Sequence, residues 1–111
     1  MKLMVFVLHK IEVLNFLLED FSSAGIKGAT IINSTGMATA LSRMENSLIG
    51  GSLRALFEVD RDDNRTILAV VKEEQIETAR QVIKDVVGDL AEPHTGILFT
   101  VPIDFVEGIR E

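Results

Sequence analysis

The stretch LMVFVL at residues 3–8 begins a structural unit that occurs twice in the chain. It is followed by residues 11–24, an amphipathic helical pattern. Its recurring apolar residues, which we expect to face inward, are Ile11, Leu14, Leu18 and Phe21. Gly25 then ends the helical pattern, and a second apolar run, ATIIN, follows at residues 29–33. The order of these segments predicts a strand, a helix and a second strand.

The same order of segments returns about 65 residues further along the chain. ILAVV at residues 67–71 leads into a helical pattern at residues 74–87. The residues of this helix that are predicted to face inward are Ile76, Ala79, Ile83 and Val86 or Val87. Gly88 closes that pattern before the last apolar run, ILFTV at residues 97–101. Two such units folded together form one four-stranded antiparallel sheet with two helices on one of its faces. The repeat therefore predicts an α+β protein of the ferredoxin-like, split βαβ class, with the element order βαββαβ.

The composition predicts a single globular domain, residues 1–111, and excludes several kinds of site. Hydrophobic residues make up 47% of the chain and the formal net charge is −6, which argues against a disordered or a nucleic-acid-binding protein. The sequence contains no cysteine, which excludes disulfides, thiolate metal sites and thiol nucleophiles. It contains no HExxH spacing and no Ser, His, Asp order of a hydrolase, so we expect a protein that is not an enzyme.

The first ten residues, MKLMVFVLHK, are interpreted as a strand rather than as a targeting signal. Their apolar stretch is short, it ends at His9 and Lys10, and no small-residue cleavage site accompanies it. No part of the sequence approaches the ~20 apolar residues that a membrane span requires. We therefore expect no membrane insertion and a cytoplasmic location.

Both faces of the predicted sheet avoid water, although helices are expected to cover only one of them. The first strand shows this pattern, with Leu3, Val5 and Val7 on one face and Met4, Phe6 and Leu8 on the other. A large apolar sheet face exposed to solvent favours aggregation, so we expect further copies of the same chain to cover it. The alternative is that Leu48, Ile49 and Phe57 fold back over the sheet of a monomer.

Residues 34–52, STGMATALSRMENSLIGGS, occupy the place of a hairpin turn between the second and third strands. Such a turn ordinarily has about 2–5 residues, and longer segments are often functional. We therefore predict a long loop at residues 34–52, within which residues 37–44 are able to form a short helix. Residues 60–65, DRDDNR, are predicted to form a polar turn that enters the third strand.

The two histidines of the chain are its candidate metal ligands. In the predicted topology the first and fourth strands are antiparallel neighbours, which brings His9, after the first strand, close to His94, before the fourth. Together with Asp89 or Glu92 they would form a site for a divalent cation. The alternative is that both histidines are solvated loop residues.

The connection DLAEPHTG at residues 89–96 is longer than the matching turn of the first repeat. Because Gly88 and Gly96 bound it, its backbone is able to approach a ligand closely, as in anion-binding loops. The alternative is a wide connection that Pro93 makes rigid.

Two long stretches of the chain resemble the PII signalling proteins. They are KLMVFVLHKIEVLNFLLEDFSSAGIKGATIINSTGM at residues 2–37 and TGILFTVPIDFVEGIR at residues 95–110. Their most distinctive parts are AGIKGAT, which enters the second strand, and the spacing F, two residues, P, I at the close of the fourth strand. The glycines of the family pattern are present as well, at Gly25, Gly28, Gly36 and Gly96.

This resemblance implies a PII-like homotrimer of ferredoxin-like domains whose three sheets face inward. It implies a regulatory, signal-transduction role, in which a protein target docks on the loop at residues 34–52. A small-molecule effector would bind in the clefts between subunits, against the base of that loop and the loop before the fourth strand. The candidate ligand-binding residues on this basis are Gly36, Met37, Ala38, His94, Thr95, Gly96 and Arg110.

The chain departs from the PII pattern at several nucleotide-binding positions. At the opening of the docking loop, Ala38 and Ala40 replace a glycine and a glutamine. Ile97 replaces the phosphate-binding lysine, and of a terminal pair of arginines Arg110 remains while the other falls at Gly108. An adenine nucleotide is therefore one candidate effector among several, and the cofactor stays unassigned.

The predicted architecture is also similar to that of the CutA divalent-cation tolerance family, whose members are trimers. That similarity implies a different function, the binding of a divalent metal ion. His9 and His94 would then be the metal ligands.

Overall fold

The structure of the protein is a computed structural model that describes residues 1–48 and 63–109. Its strands in these ranges are β1 (Lys2–Leu8), β2 (Thr30–Thr35), β3 (Asp63–Val71) and β4 (Gly96–Pro102). Its helices in these ranges are a 3₁₀ turn (Ile11–Val13), α1 (Leu14–Ser23), α2 (Met37–Leu48) and α3 (Glu73–Val86). None of these helices has the length and hydropathy that a bilayer crossing requires.

The four strands form one antiparallel sheet in the order β2-β3-β1-β4. Strand β1 lies between β3 and β4, and its register with β4 pairs Leu8 with Gly96 at one end and Lys2 with Pro102 at the other. The two repeats interleave, since each contributes one inner strand and one edge strand. The predicted ferredoxin-like α+β fold is confirmed, including the pairing of the first strand with the fourth.

The hydrophobic core lies between one face of the sheet and the helices α1 and α3. Strand β1 contributes Met4, Phe6 and Leu8, which are fully buried. Opposite Phe6 on strand β3 is Ile67, which is also fully buried. From α3 the buried residues are Ala79 and Ile83, as the helical spacing in the sequence predicts. The core therefore uses alternate residues of the strands and one side of each helix.

Helix α1 begins later than predicted, and it buries a different set of side chains in consequence. Residues Ile11–Val13 form a tighter turn, which has 3 residues per turn in place of 3.6. The α-helix therefore starts at Leu14 with a different rotation, and it buries Leu17 and Phe21. The apolar pattern predicts Phe21 but not Leu17, because that pattern assumes one regular helix over residues 11–24.

Glycines follow α1 and α3, as the sequence predicts. Gly25 has a φ of 95° and Gly88 a φ of 109°, in the left-handed region that other residues seldom adopt. After α1 the N–H of Ile26 donates a hydrogen bond of 2.8 Å to the carbonyl oxygen of Phe21. The left-handed residue thus turns the chain back, and it lets Ile26 join the core.

The face of the sheet that points away from α1 and α3, here called the open face, is predominantly apolar. Its residues form rows across β3, β1 and β4: Val70, Leu3 and Val101; Leu68, Val5 and Phe99; Thr66, Val7 and Ile97. Phe99 is 48% exposed and Ile97 is 57% exposed. The prediction of two apolar sheet faces is confirmed. The alternative cover by Leu48, Ile49 and Phe57 involves side chains outside the described residues.

The segment predicted as a long loop, residues 34–52, consists mostly of strand and helix, which corrects that prediction. Ser34 and Thr35 complete β2, and residues Met37–Leu48 form α2. The sequence of α2 contains neither glycine nor proline, and it is rich in alanine, leucine and methionine, which favour helices. The short helix expected at residues 37–44 is therefore present and longer than expected. Residues 49–52 lie outside the described residues.

Strand β3 begins at Asp63, inside the segment that the sequence predicts as a polar turn. Asn64 and Arg65 pair with Ser34 and Asn33 of β2. Backbone hydrogen bonding to β2 thus extends the strand through polar residues, for which hydropathy gives no signal.

Substitution of Gly96 by alanine is expected to destabilise the protein. An added Cβ would lie 2.6 Å from the carbonyl oxygen of Val7 and 2.8 Å from the ring of Phe6, so β4 would have to move away from β1. We expect a loss of about 1–3 kcal/mol in the free energy of unfolding, measured by urea denaturation. The control is Gly28→Ala, because an added Cβ there meets no atom within 4 Å. Equal stability of the two variants would contradict the packing argument.

Candidate functional site

The sheet has two ends that carry different functional residues. The register of the strands shows which residues lie together at each end. At one end, here called the α2 end, β1 and β2 finish while β3 and β4 begin. At the other end, here called the far end, β2 begins after Gly28 and β4 finishes at Pro102. Strands of six to nine residues separate the two ends, a distance of roughly 20 Å.

A buried polar cluster joins three strands at the α2 end. The backbone N–H of His9 donates to the carbonyl oxygen of Thr95 at 3.0 Å. Nδ1 of the same histidine donates to Oδ1 of Asn64 at 2.6 Å. Asn64 and Thr95 are only 6% and 8% exposed, and the hydroxyl of Thr95 donates to the carbonyl oxygen of Glu92 at 2.8 Å. The cluster therefore fixes the connection before β4 against the ends of β1 and β3.

Gly36 lies beside this cluster, between β2 and α2. A Cβ at this position would be 3.6 Å from Nδ2 of Asn64, which is an ordinary contact distance. The next two residues, Met37 and Ala38, are in the first turn of α2 and are exposed. The structure thus brings Gly36 close to the Asn64 and Thr95 cluster, as expected if the base of the segment and the connection before β4 form one site.

The remaining predicted site residues are distributed differently. His94 is exposed and has a φ of 63°, which is uncommon for a residue other than glycine. Gly96 has a structural role, since the ring of Phe6 occupies the space where a side chain would lie. Arg110 lies outside the described residues. The assignment of all seven predicted residues to ligand binding stays a prediction.

Helix α2 is tied to the sheet by a tether centred on Asp63. The Thr35 hydroxyl and Nη2 of Arg43 each donate to Oδ1 of Asp63 at 3.0 Å. The hydrogen bond from Thr35 and the charge and hydrogen bond of Arg43 lower the pKa of the Asp63 carboxyl. The tether is therefore complete above the ordinary carboxyl pKa, and it is lost as the pH falls through the lowered one.

The far end of the sheet contains a groove of about 800 Å³, which the sequence does not predict. Its apolar walls include Leu3, Ile26, Leu68 and Val70. Its polar groups include Lys27, Thr30 and Gln75. The side-chain amide of Gln75 donates to the carbonyl oxygen of Gly25 at 3.4 Å, which links α3 to the turn between α1 and β2. The only signal in the sequence is the pair of glycines in AGIKGAT, which leaves the backbone of this turn accessible.

The groove also receives the end of the described chain. Gly108 and Ile109 line it, and Arg110 is the next residue in the sequence. Within one protomer these residues are a full strand length from Gly36 and Thr95. A ligand smaller than this separation therefore cannot contact both sets of residues within one protomer.

The structure does not favour the metal-binding alternative. Within residues 1–48 and 63–109, no group of three histidine and carboxylate side chains could hold a metal ion. His9 uses Nδ1 in its hydrogen bond to Asn64, and His94 lies on the exposed connection before β4.

Removal of the Asp63 carboxylate is expected to loosen α2 without unfolding the domain. In Asp63→Ala both hydrogen bonds of the tether are lost, and amide hydrogen exchange over residues 37–44 is expected to be about two- to fivefold faster at neutral pH. The control is Glu77→Ala, which removes the exposed ion pair with Arg80 on α3. In the wild-type protein, but not in Asp63→Ala, protection of α2 should decrease as the pH falls through the lowered pKa of the Asp63 carboxyl. Unchanged exchange in Asp63→Ala would show that the tether does not hold the helix.

A comparison with protein-family models gives a match over the whole chain. The model of the family described as Nitrogen regulatory protein P-II matches residues 1–111. A comparison with curated proteins finds no significant match. The family match covers both halves of the repeat and the segment between them.

Proposed function

The chain belongs to the Nitrogen regulatory protein P-II family, and from this premise we propose that it is a homotrimeric regulatory protein of the cytoplasm. In this proposal residues 1–111 form one domain, which binds a small effector in clefts between subunits. The segment at residues 34–52 reports the bound state to a protein target. The role is one of signal transduction rather than catalysis.

The open face of the sheet supports the homotrimer. Three adjacent strands present apolar rows on this face, and Ile32 of the fourth strand is 45% exposed on the same side. Contiguous apolar patches of this kind on soluble proteins mark interaction sites. At the α2 end the open face also carries polar side chains, since the hydroxyls of Ser34 and Thr66 share a hydrogen bond of 2.8 Å there. Sister subunits seated on this face would remove its apolar side chains from water.

The single observation that carries the effector proposal is the continuity between the groove at the far end and the open face. Leu3, Leu68 and Val70 belong to both surfaces. A neighbouring subunit on the open face would therefore form a second wall of the groove. Because the two ends of the sheet are far apart within one protomer, this neighbour would also supply the residues of the α2 end.

The lining of the groove indicates the class of effector. Apolar walls suit a flat or aliphatic body, and the ammonium group of Lys27 suits an anionic group on the same molecule. The hydroxyl of Thr30 and the glycine backbone of the turn offer hydrogen bonds. An adenine nucleotide fits this description, and so do other small anionic metabolites.

The proposed signal passes through α2. An effector bound near Gly36 would have different affinities for different arrangements of α2, and it would thereby change which arrangement a target protein meets. The Asp63 tether and the Asn64 cluster are the contacts that such a ligand would strengthen or release.

A charged substitution on the open face is expected to dissociate the trimer. Phe99→Asp would place a carboxylate among apolar side chains, where it lacks a partner. The wild-type protein should show three times the protomer mass of 12.2 kDa in analytical ultracentrifugation, and the variant a single protomer mass. The matched control is Phe16→Asp, because Phe16 is 64% exposed on α1. A wild-type protein that is monomeric at micromolar concentration would refute the trimer.

The effector proposal is tested by isothermal titration with adenine nucleotides, cyclic nucleotides and 2-oxoglutarate. We expect at least one of these anions to bind, and Lys27→Glu to weaken its binding about tenfold or more through charge repulsion. The control is Lys84→Glu, which makes the same charge change on the exposed surface of α3. If none of these ligands binds, the sensor function in this form is wrong. If both variants bind equally, the groove is not the site.

A further inference from the structure

Helix α2 presents a row of large apolar side chains to solvent. Met37 is 79% exposed, Leu41 is 50% exposed and Met44 is 60% exposed. Residues with the spacing i, i+4 and i+7 lie on one side of a helix. These three residues are called the apolar stripe below.

The opposite side of α2 faces the rest of the protein. Thr39 and Arg43 are half-buried there, and Arg43 contacts Asp63 in the tether. At 3.6 residues per turn, Arg43 lies roughly 130° around the helix axis from the centre of the stripe. The tether therefore holds α2 in an orientation that directs the apolar stripe outward.

From these observations we propose that α2 docks as an amphipathic helix into an apolar groove of a target protein, with Met37, Leu41 and Met44 as its anchors. The inference rests on the proposed function, since it names the kind of surface that the target offers to this segment. Recognition of a helix in a groove uses anchors at this same spacing. Methionine side chains are flexible, which suits them to fill a groove of irregular shape.

The size and the charge of the apolar stripe favour a target protein with a groove over a second copy of the chain as the binding partner. Three side chains that are already partly covered cannot supply the ~800 Å² per partner of a standard interface. A stable contact between copies through the stripe alone is therefore disfavoured, whereas a concave groove covers a single helix on several sides. The charged residues in the sequence of α2 are Arg43, which is paired with Asp63, and Glu45, and neither belongs to the apolar stripe. The part of the target surface that meets the stripe is consequently apolar.

The preformed helix contributes to docking as well. A helix of 12 residues is marginally stable by itself in water. The backbone N–H of Ala40 donates to the carbonyl oxygen of Gly36 at 3.0 Å, which closes the first turn of the helix, and the Asp63 tether fixes the helix to the sheet. A target that binds this preformed helix avoids part of the entropy cost of ordering it.

The first step of the test is site-specific photocrosslinking of the full chain in its source cells. A benzophenone amino acid replaces Leu41, or, as the matched control, the adjacent Ser42, which is exposed on a different side of α2. We expect an adduct with one other protein from position 41 and little or none from position 42. Adducts with a second copy of the chain, equal adducts from both positions, or no adduct from either would overturn the proposal.

The second step uses the captured protein, purified, as the binding probe. Leu41→Glu is expected to weaken its affinity about tenfold or more, because a carboxylate would enter the apolar groove. Ser42→Glu adds the same charge off the stripe and should retain wild-type affinity. Equal affinities of the two variants would overturn the proposal.

Failure of helix docking and failure of the proposed sensor function give different experimental results. The oligomeric mass and the effector titration of Leu41→Glu should match those of the wild-type protein. If the wild-type protein is monomeric or binds no effector while Leu41→Glu still loses the target, then helix docking stands and the sensor function falls. If the target binds Leu41→Glu normally while trimer and effector binding are intact, then the sensor function stands and helix docking falls.

Discussion

The fold depends on one constraint, that two helices cover only one face of a sheet whose strands are apolar on both. Met4, Phe6 and Leu8 are buried against α1 and α3 as part of the hydrophobic core, and this burial stabilises the fold. The same strand alternation directs Leu3 and Val7 to the open face. Because successive side chains of a strand point to opposite faces, the strand that buries Met4, Phe6 and Leu8 also directs its remaining apolar residues to the open face. The apolar open face, and with it the proposed trimer, follows from the local sequence of the strands.

Much of this architecture could be predicted from the sequence because the chain repeats a strand, helix, strand unit. The repeat fixes the order of elements, and the glycines at positions 25 and 88 mark the ends of two helices. The sequence pattern was less informative where polar residues take part in regular structure. Asn64 and Arg65 belong to β3 through pairing with β2, which depends on residues some 30 positions away. The tight turn before α1 changed the buried side of that helix, and no residue pattern announces such a change in rotation.

The candidate site was predictable only in part, for a geometric reason. Residues before β4 and residues after β2 come together at one end of the sheet, as the topology implies. The role of Asn64 as the residue that joins His9 to this end could not be predicted, because an asparagine in a polar segment carries no distinctive signal. The groove at the far end combines residues from several strands and from the turn before β2. Its shape exists only in the folded chain, and its second wall belongs to a neighbouring subunit in the proposed assembly.

The attachment of α2 to an edge strand of the sheet affects which parts of the protein can change in sequence while the fold is kept. Helix α2 follows β2, which is an edge strand, while β1 and β3 form the interior of the sheet. The described core contains no residue of α2, so changes in the exposed side chains of this helix do not remove core contacts. Lineages could exchange this helix for one with another surface while they keep the same scaffold, and an engineer could graft a new recognition element at the same junction. The sheet and its core maintain the fold, and α2 is the element whose surface can change to bind a different partner.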